Sequence, residues 1–173
     1  MSFFMYLIAF GGNTGDRVQN AHGALLCLRR FGRIGRQSEW KITEPLRSSR
    51  YDTSDHEVYL NFVMEFESEL PPNALYRHIC EIEDQFGHDR EQRWRPRAVD
   101  LDLLFCSKQE KSGMSFEPDL AFEYLSSDGG LQLPHPQIWN RGFLLEMIES
   151  DLKINLNLLN QRKSDVSKNM NKD

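Results

Sequence analysis

The sequence predicts an α+β sandwich of order βαββαβ with additional C-terminal elements. Three observations point there: apolar runs short enough to be strands, intervening stretches with apolar residues three and four apart, and Gly or Pro at most boundaries. At 173 residues the chain is long enough for one domain with its own core. That domain is expected over residues 1–160, followed by a frayed polar tail over 161–173.

Phe3–Phe10 is a compact apolar run stopped by Gly11-Gly12, the pattern of a buried strand. Asn13 to Asp16 offer capping side chains, and Val18, Ala21, Leu25 and Leu28 then mark one face of a helix running to Phe31. Ile34–Thr43 reads as one strand ending near Pro45. The polar stretch Leu46–Glu57 reads as a long loop, of a length that is usually functional or mobile. Val58–Leu70 is the next strand, closed by Pro71-Pro72. Asn73 stands near the start of a helix whose apolar face is Leu75, Ile79, Ile82 and Phe86, with Gly87 at the C′ position. A charged loop over His88–Pro96 leads to a strand over Ala98–Cys106, apolar except for two aspartates. Ser107–Gly130 is irregular, and after Leu131–Pro136 the stretch Ile138–Leu152 is helical in pattern. This order is that of a ferredoxin-like sandwich, a fold that by itself says nothing of chemistry.

Composition removes several classes of function. With 21 Lys+Arg against 26 Asp+Glu the net charge is −5, so no nucleic-acid partner is expected. No run approaches the roughly 18 apolar residues of a membrane span. The opening MSFFMYLIAFGGN lacks a basic n-region and a small-residue cleavage site, so it reads as strand and not as a signal peptide. Cys27, Cys80 and Cys106 are odd in number and scattered, which argues against a disulfide framework and a zinc site. The expected compartment is cytoplasmic, with no membrane partner.

The strongest chemical signal is Asp100-Leu101-Asp102. On a strand, residues i and i+2 share a face, so both carboxylates project together while Leu101 and Leu103 point the other way. Side by side they repel and raise each other's pKa unless a cation neutralises them. One reading is a solvent-exposed sheet face; the other is a magnesium site, because Mg²⁺ takes one or two carboxylates together with substrate phosphates. Just upstream, Arg90, Arg93, Arg95 and Arg97 surround Trp94. Acid for metal beside base for phosphate oxygens is the layout of phosphoryl transfer. No G-x-x-x-x-G-K-[ST] is present, and Gly11-Gly12-Asn13 fits a dinucleotide fingerprint poorly.

The segment Arg93-Trp94-Arg95-Pro96-Arg97-Ala98-Val99-Asp100-Leu101-Asp102 resembles the R-W-G-P-R-x-x-D-[LI]-D signature of the hydroxymethyldihydropterin pyrophosphokinases of folate biosynthesis. Gly11-Gly12-Asn13, Tyr59-Leu60-Asn61, Leu133-Pro134-His135-Pro136 and Asn140-Arg141-Gly142-Phe143 agree with that family in order and spacing. The resemblance covers roughly residues 4–150. It implies transfer of the β,γ-pyrophosphoryl unit of ATP to the hydroxymethyl group of a reduced pterin, with release of AMP. It implies that Asp100 and Asp102 hold two Mg²⁺ ions and that Arg97 and Arg90 act from a mobile catalytic loop. Glu83, Arg90, Trp94, Arg97, His135 and Arg141 would bind ATP, although Glu83 could equally be an exposed helical glutamate. Tyr59 and Phe143 would sandwich the pterin ring, Asn61 would read its amino-oxo edge, and Thr43, Pro45 and Leu46 would line the pocket. Without the family, core packing is the default for the two rings. The partners implied are ATP and the pterin, and a monomer is expected.

The departures from the pattern fall around the nucleotide. Arg95 stands for a glycine, His88 for a common arginine, Pro136 for a frequent tyrosine and Gly12 for a frequent serine. Gly130 and Gln132 stand where basic and hydroxyl residues are common, the loop after Gly87 is about one residue shorter, and 107–130 is longer. Two other readings remain: a paralogue acting on another pterin alcohol, and a non-catalytic binding module on the same fold, for RNA, which the acidic balance opposes.

Overall fold

The computed structural model describes residues 3–45, 56–88, 95–157 and 159. Its organising strand is β1 (Phe3–Gly12), which pairs antiparallel with β4 (Tyr59–Ser68) on one side and β5 (Asp100–Gln109) on the other. Strand β2 (Arg33–Gln37) and strand β3 (Lys41–Thr43) both pair with the far edge of β4. The order across the antiparallel sheet is β2-β4-β1-β5. β1 is apolar along most of its length because both of its faces are covered.

On one face, α1 (Arg17–Leu28) and α2 (Pro72–Gln85) pack over Tyr6, Ile8, Phe10, Phe62, Phe66, Leu101 and Leu103. Asp16 caps α1, its Oδ1 accepting from the Gln19 N–H. On the other face lie Met5, Leu7, Val63 and Leu104, covered by Phe116 and by Ile138, Leu144, Met147, Ile148 and Leu152. The fold is therefore mixed α and β, with an antiparallel sheet between a helical layer and a layer of shorter pieces. A small ribbon of β6 (Tyr124–Leu125) and β7 (Gln132–Leu133) adds to the helical side. Among the described residues no helix is long and apolar enough to cross a membrane.

Several sequence expectations shift. The strand expected over Ile34–Thr43 is two strands, because one extra residue enters between the Gln37–Met64 and Lys41–Asn61 pairs. Ser38 explains the break: its N–H donates to Val63 O (2.8 Å) and its Oγ accepts from Val63 N–H (2.9 Å), so the side chain replaces a ladder partner. Val18, expected on the buried face of α1, is 51% exposed, and the helix ends at Leu28. Asn73 does not cap α2; Pro71 is the N-cap residue, without a side-chain bond, and Pro72 begins the helix. The helix expected over Ile138–Leu152 is a 3₁₀ turn (Ile138–Asn140), α3 (Gly142–Glu146) and a π turn (Met147–Asp151), interrupted at Arg141 (φ −109°, ψ 71°). Most of the Leu46–Glu57 loop, much of the His88–Pro96 loop and the 161–173 tail lie outside the described residues.

Candidate active site

The antiparallel register assembles one row of residues across the face opposite the helices. Gly11 pairs with Asn61 on β4 and with Asp100 on β5, and two positions along, Ala9 pairs with Val63 and Asp102. Asp100, Asp102 and Asn61 thus stand on either side of a central strand that presents only a hydrogen and a methyl between them. A Cβ built on Gly11 would lie 3.1 Å from Asn61 Oδ1 and 4.0 Å from Asp100 Cβ. The small residues keep a trough open.

The aspartates are not a solvated surface pair, since their side chains are only 27% and 24% exposed. Each carboxylate has a guanidinium partner: Arg97 Nη1 donates to Asp100 Oδ1, and Arg141 Nη1 donates to Asp102 Oδ2. Burial pushes the Asp100 carboxyl above its ordinary pKa, the Asp102 charge pushes it further, and Arg97 pulls it back. His135 Nε2 lies 3.7 Å from Asp102 Oδ1. Burial lowers the imidazole's pKa despite that neighbour, so at neutral pH the contact is between a carboxylate and a neutral ring.

Local structure places each arginine. Arg97 precedes β5 and is pinned by Asn13, whose Oδ1 accepts from Arg97 N–H and whose N–H donates to Arg97 O, both at 2.8 Å. Asn13 is wholly buried. Gly12 lets the two segments touch, because a Cβ there would lie 2.5 Å from Ala98 O. Arg141 owes its position to the break between the 3₁₀ turn and α3 described above. Glu83 is not an exposed helical glutamate: it is 5% exposed and its Oε1 accepts from Leu101 N–H (2.8 Å) at the edge of the sheet.

On the other side of the trough, Asn61 Nδ2 donates to Thr43 Oγ1 (2.6 Å), which orients its amide. Tyr59 begins β4, with its hydroxyl 3.3 Å from His56 Nδ1. Burial raises the Tyr59 pKa, and the Asp100 charge raises it further. Arg17 Nη1 donates to Val58 O (2.7 Å), tying the start of α1 to this strand.

The sequence matches the family model described as 7,8-dihydro-6-hydroxymethylpterin-pyrophosphokinase (HPPK) over residues 7–151. This chain belongs to the HPPK family. It is 32% identical over 144 residues to the folate synthesis bifunctional protein of Chlamydia trachomatis, covering 83% of this chain and 29% of that protein. It is 28% identical over 138 residues to the 2-amino-4-hydroxy-6-hydroxymethyldihydropteridine pyrophosphokinase of Bacillus subtilis, covering 80% and 72%. Against the pea mitochondrial bifunctional protein the identity is 30% over 140 residues, with 80% and 23% covered. The chain spans between about a quarter and three tenths of the length of these bifunctional relatives.

Of the residues singled out from sequence in this HPPK-family chain, the structure gathers Asp100, Asp102, Arg97, Arg141 and His135 into one cluster, with Asn61 and Thr43 across the trough. Tyr59 is near enough to Asp100 for its charge to be felt. Pro45 follows β3, and Phe143 packs from α3 against the outer core layer. Leu46, Arg90 and Trp94 lie outside the described residues. Sequence reasoning missed the roles of Ala9 and Gly11 as floor and of Asn13 as anchor. Only strand register reveals the floor, although Gly11-Gly12-Asn13 at a strand end was a visible signal for the anchor.

Proposed function

We propose that this protein transfers the β,γ-pyrophosphoryl unit of ATP to the hydroxymethyl group of 6-hydroxymethyl-7,8-dihydropterin and releases AMP, in folate biosynthesis. The observation that carries the reading is the paired aspartates, each matched by an arginine, facing an oriented asparagine across a floor of small residues. Membership of the HPPK family, and the name of the Bacillus subtilis relative, support the substrate and the reaction.

Asp100 and Asp102 suit two Mg²⁺ ions: they are hard oxygen donors on one face, partly screened from water, and burial and mutual repulsion favour a cation between them. Magnesium bound there would lower the pKa of the pterin hydroxyl and neutralise phosphate charge. Arg97 and Arg141 can exchange carboxylate oxygens for phosphate oxygens when ATP enters, so the site holds no unpaired charge in either state. His135, neutral by burial, can donate one hydrogen bond to a phosphate without adding charge. Arg90, Trp94 and Glu83 are assigned to the nucleotide side. Glu83 acts there by holding the first residues of β5 in place.

Asn61, held by Thr43, offers a donor and an acceptor to the pterin edge, and Tyr59 and Phe143 supply rigid ring faces. Pro45 and Leu46 are assigned to the pterin as well. No protein nucleophile is required, because the hydroxymethyl oxygen is itself the attacking atom. The strand order, with a helix in each of two crossovers, supports a ferredoxin-like domain over 1–160; the reading takes it as a cytoplasmic monomer without nucleic-acid or membrane partners. The test is AMP release from MgATP with and without the pterin. AMP formation should require the pterin and fall by about 10³-fold or more in Asp102→Ala. Equal AMP in the variant would refute the assignment.

A further inference from the structure

Tyr59 enters the trough on a backbone that is pinned from two directions. It pairs with Thr43 on β3, and strand alternation puts it on the face of Asn61, while Leu60 points into the helical core. The two residues before it are held from the other side. Arg17 Nη1 donates to Val58 O (2.7 Å) and Asn13 Nδ2 to Glu57 O (3.4 Å). What this scaffold leaves free is rotation of the Tyr59 side chain about its own χ angles. His56, half-buried and three residues upstream, meets the end of that side chain: its Nδ1 is 3.3 Å from the Tyr59 hydroxyl. The ring centroids are 6.5 Å apart and the planes are tilted by 48°. The imidazole thus lies off the hydroxyl tip and covers neither face of the phenol ring. Burial raises the Tyr59 pKa and the Asp100 charge adds to it, so the hydroxyl keeps its proton. It can donate to Nδ1 in the tautomer that carries the ring proton on Nε2.

We propose that His56 is a positioning residue for the pterin: by holding the Tyr59 hydroxyl it fixes the plane of the ring on which the substrate stacks. The inference rests on the reading of the trough as the pterin site and adds to it a residue that lies outside the Tyr59-Leu60-Asn61 run. Offset stacking depends on the relative orientation of the two rings, so a phenol free to turn must be ordered each time a flat substrate arrives. A ring already held in plane avoids that cost, which is preorganisation of the binding surface. His56 touches the ring through its hydroxyl alone and leaves the stacking faces to the ligand. The benefit falls on pterin binding, so it belongs to KM and not to kcat. The nucleotide side, built on Arg97, Arg141 and His135, does not depend on it.

The test measures binding of the fluorescent probe 6-hydroxymethylpterin to the full chain, with Mg²⁺ and the non-transferring nucleotide α,β-methylene-ATP present. In His56→Ala the pterin dissociation constant should rise about two- to tenfold, the loss of one hydrogen bond. The nucleotide constant and the thermal midpoint should stay as in wild type. His56→Gln, whose Oε1 can accept from the same hydroxyl, should recover most of the binding. Tyr59→Phe keeps the ring and loses the hydroxyl, so it should weaken the pterin as much as His56→Ala does, and the double variant no further. Unchanged pterin binding in His56→Ala, equal weakening of pterin and nucleotide, or additive losses in the double variant would overturn the proposal. A wild type that binds no pterin would overturn the reading of the trough and this inference with it. Wild-type binding without an effect of His56→Ala overturns the inference alone.

Discussion

At the scale of single residues, the site depends as much on side chains that are small as on those that are charged. Gly11 lies between Asn61 and Asp100, and its backbone does not require glycine; the space does. Gly11→Ala would place a Cβ 3.1 Å from Asn61 Oδ1, so the amide must give way by a few tenths of an ångström. The expected result is a fold of unchanged stability, a pterin KM raised several-fold, and an ATP KM close to wild type. Steady-state kinetics checks this, and an ATP effect larger than the pterin effect would place Gly11 elsewhere. Asn13 gives a complementary expectation. Asn13→Ala removes an acceptor from Arg97 N–H, at about 1 kcal/mol for the partly buried group left behind, and should lower the thermal midpoint together with kcat. The charged members were legible in the sequence because Asp100, Asp102 and Arg97 sit within six positions of one another. The floor was not legible, because it depends on which residue of one strand faces which residue of another.

At the scale of elements, two buried glutamates tie the irregular segment after β5 to the sheet. Glu65 pairs with Arg36 (2.7 Å) and accepts from Phe116 N–H (2.8 Å); Glu67 accepts from Ser112 Oγ, Gly113 N–H and Arg33. Burial alone would raise the Glu67 pKa, but the bonds from Ser112, Gly113 and Arg33 outweigh it and the net shift is downward. A carboxyl whose folded pKa is depressed stabilises the fold above its unfolded value, near 4.3, and that contribution is lost as pH falls through the folded value. Glu67→Gln should therefore cost about 1–3 kcal/mol at pH 7, with the difference from wild type closing below about pH 4. Denaturation midpoints across pH test it, and a pH-independent difference would contradict it. Sequence reading left 107–130 as an unexplained excursion because two of its three bonds to these glutamates come from backbone N–H groups, which carry no residue signature, and the third from a single serine hydroxyl. The same limit hid the break in the 138–152 helix: apolar spacing continues through Arg141, while its backbone leaves the helix and its guanidinium reaches Asp102.

At the scale of the whole molecule, the sheet is a plate packed on both faces, with chemistry confined to one end. The lack of alternation in Phe3–Phe10 already implied burial on both faces, and the two helices followed from their periodicity. The second covering layer could not be read because it consists of a 3₁₀ turn, one short helix, a π turn and irregular chain. Stability should therefore be sensitive far from the site. Phe62 stacks between Phe10 (4.9 Å between centroids) and Trp40 (4.6 Å) on the helical face. Phe62→Ala should cost about 3–5 kcal/mol in urea denaturation, and a loss below about 1 kcal/mol would mean that this stack relaxes freely. The central claim is that one site moves two phosphoryl groups as a unit. Its most direct measurement is ³¹P NMR of a reaction of MgATP with 6-hydroxymethyl-7,8-dihydropterin, with the products quantified. The account predicts AMP and a pterin diphosphate ester in equal amounts. ADP with a pterin monophosphate, or AMP with free pyrophosphate and unconsumed pterin, would contradict it.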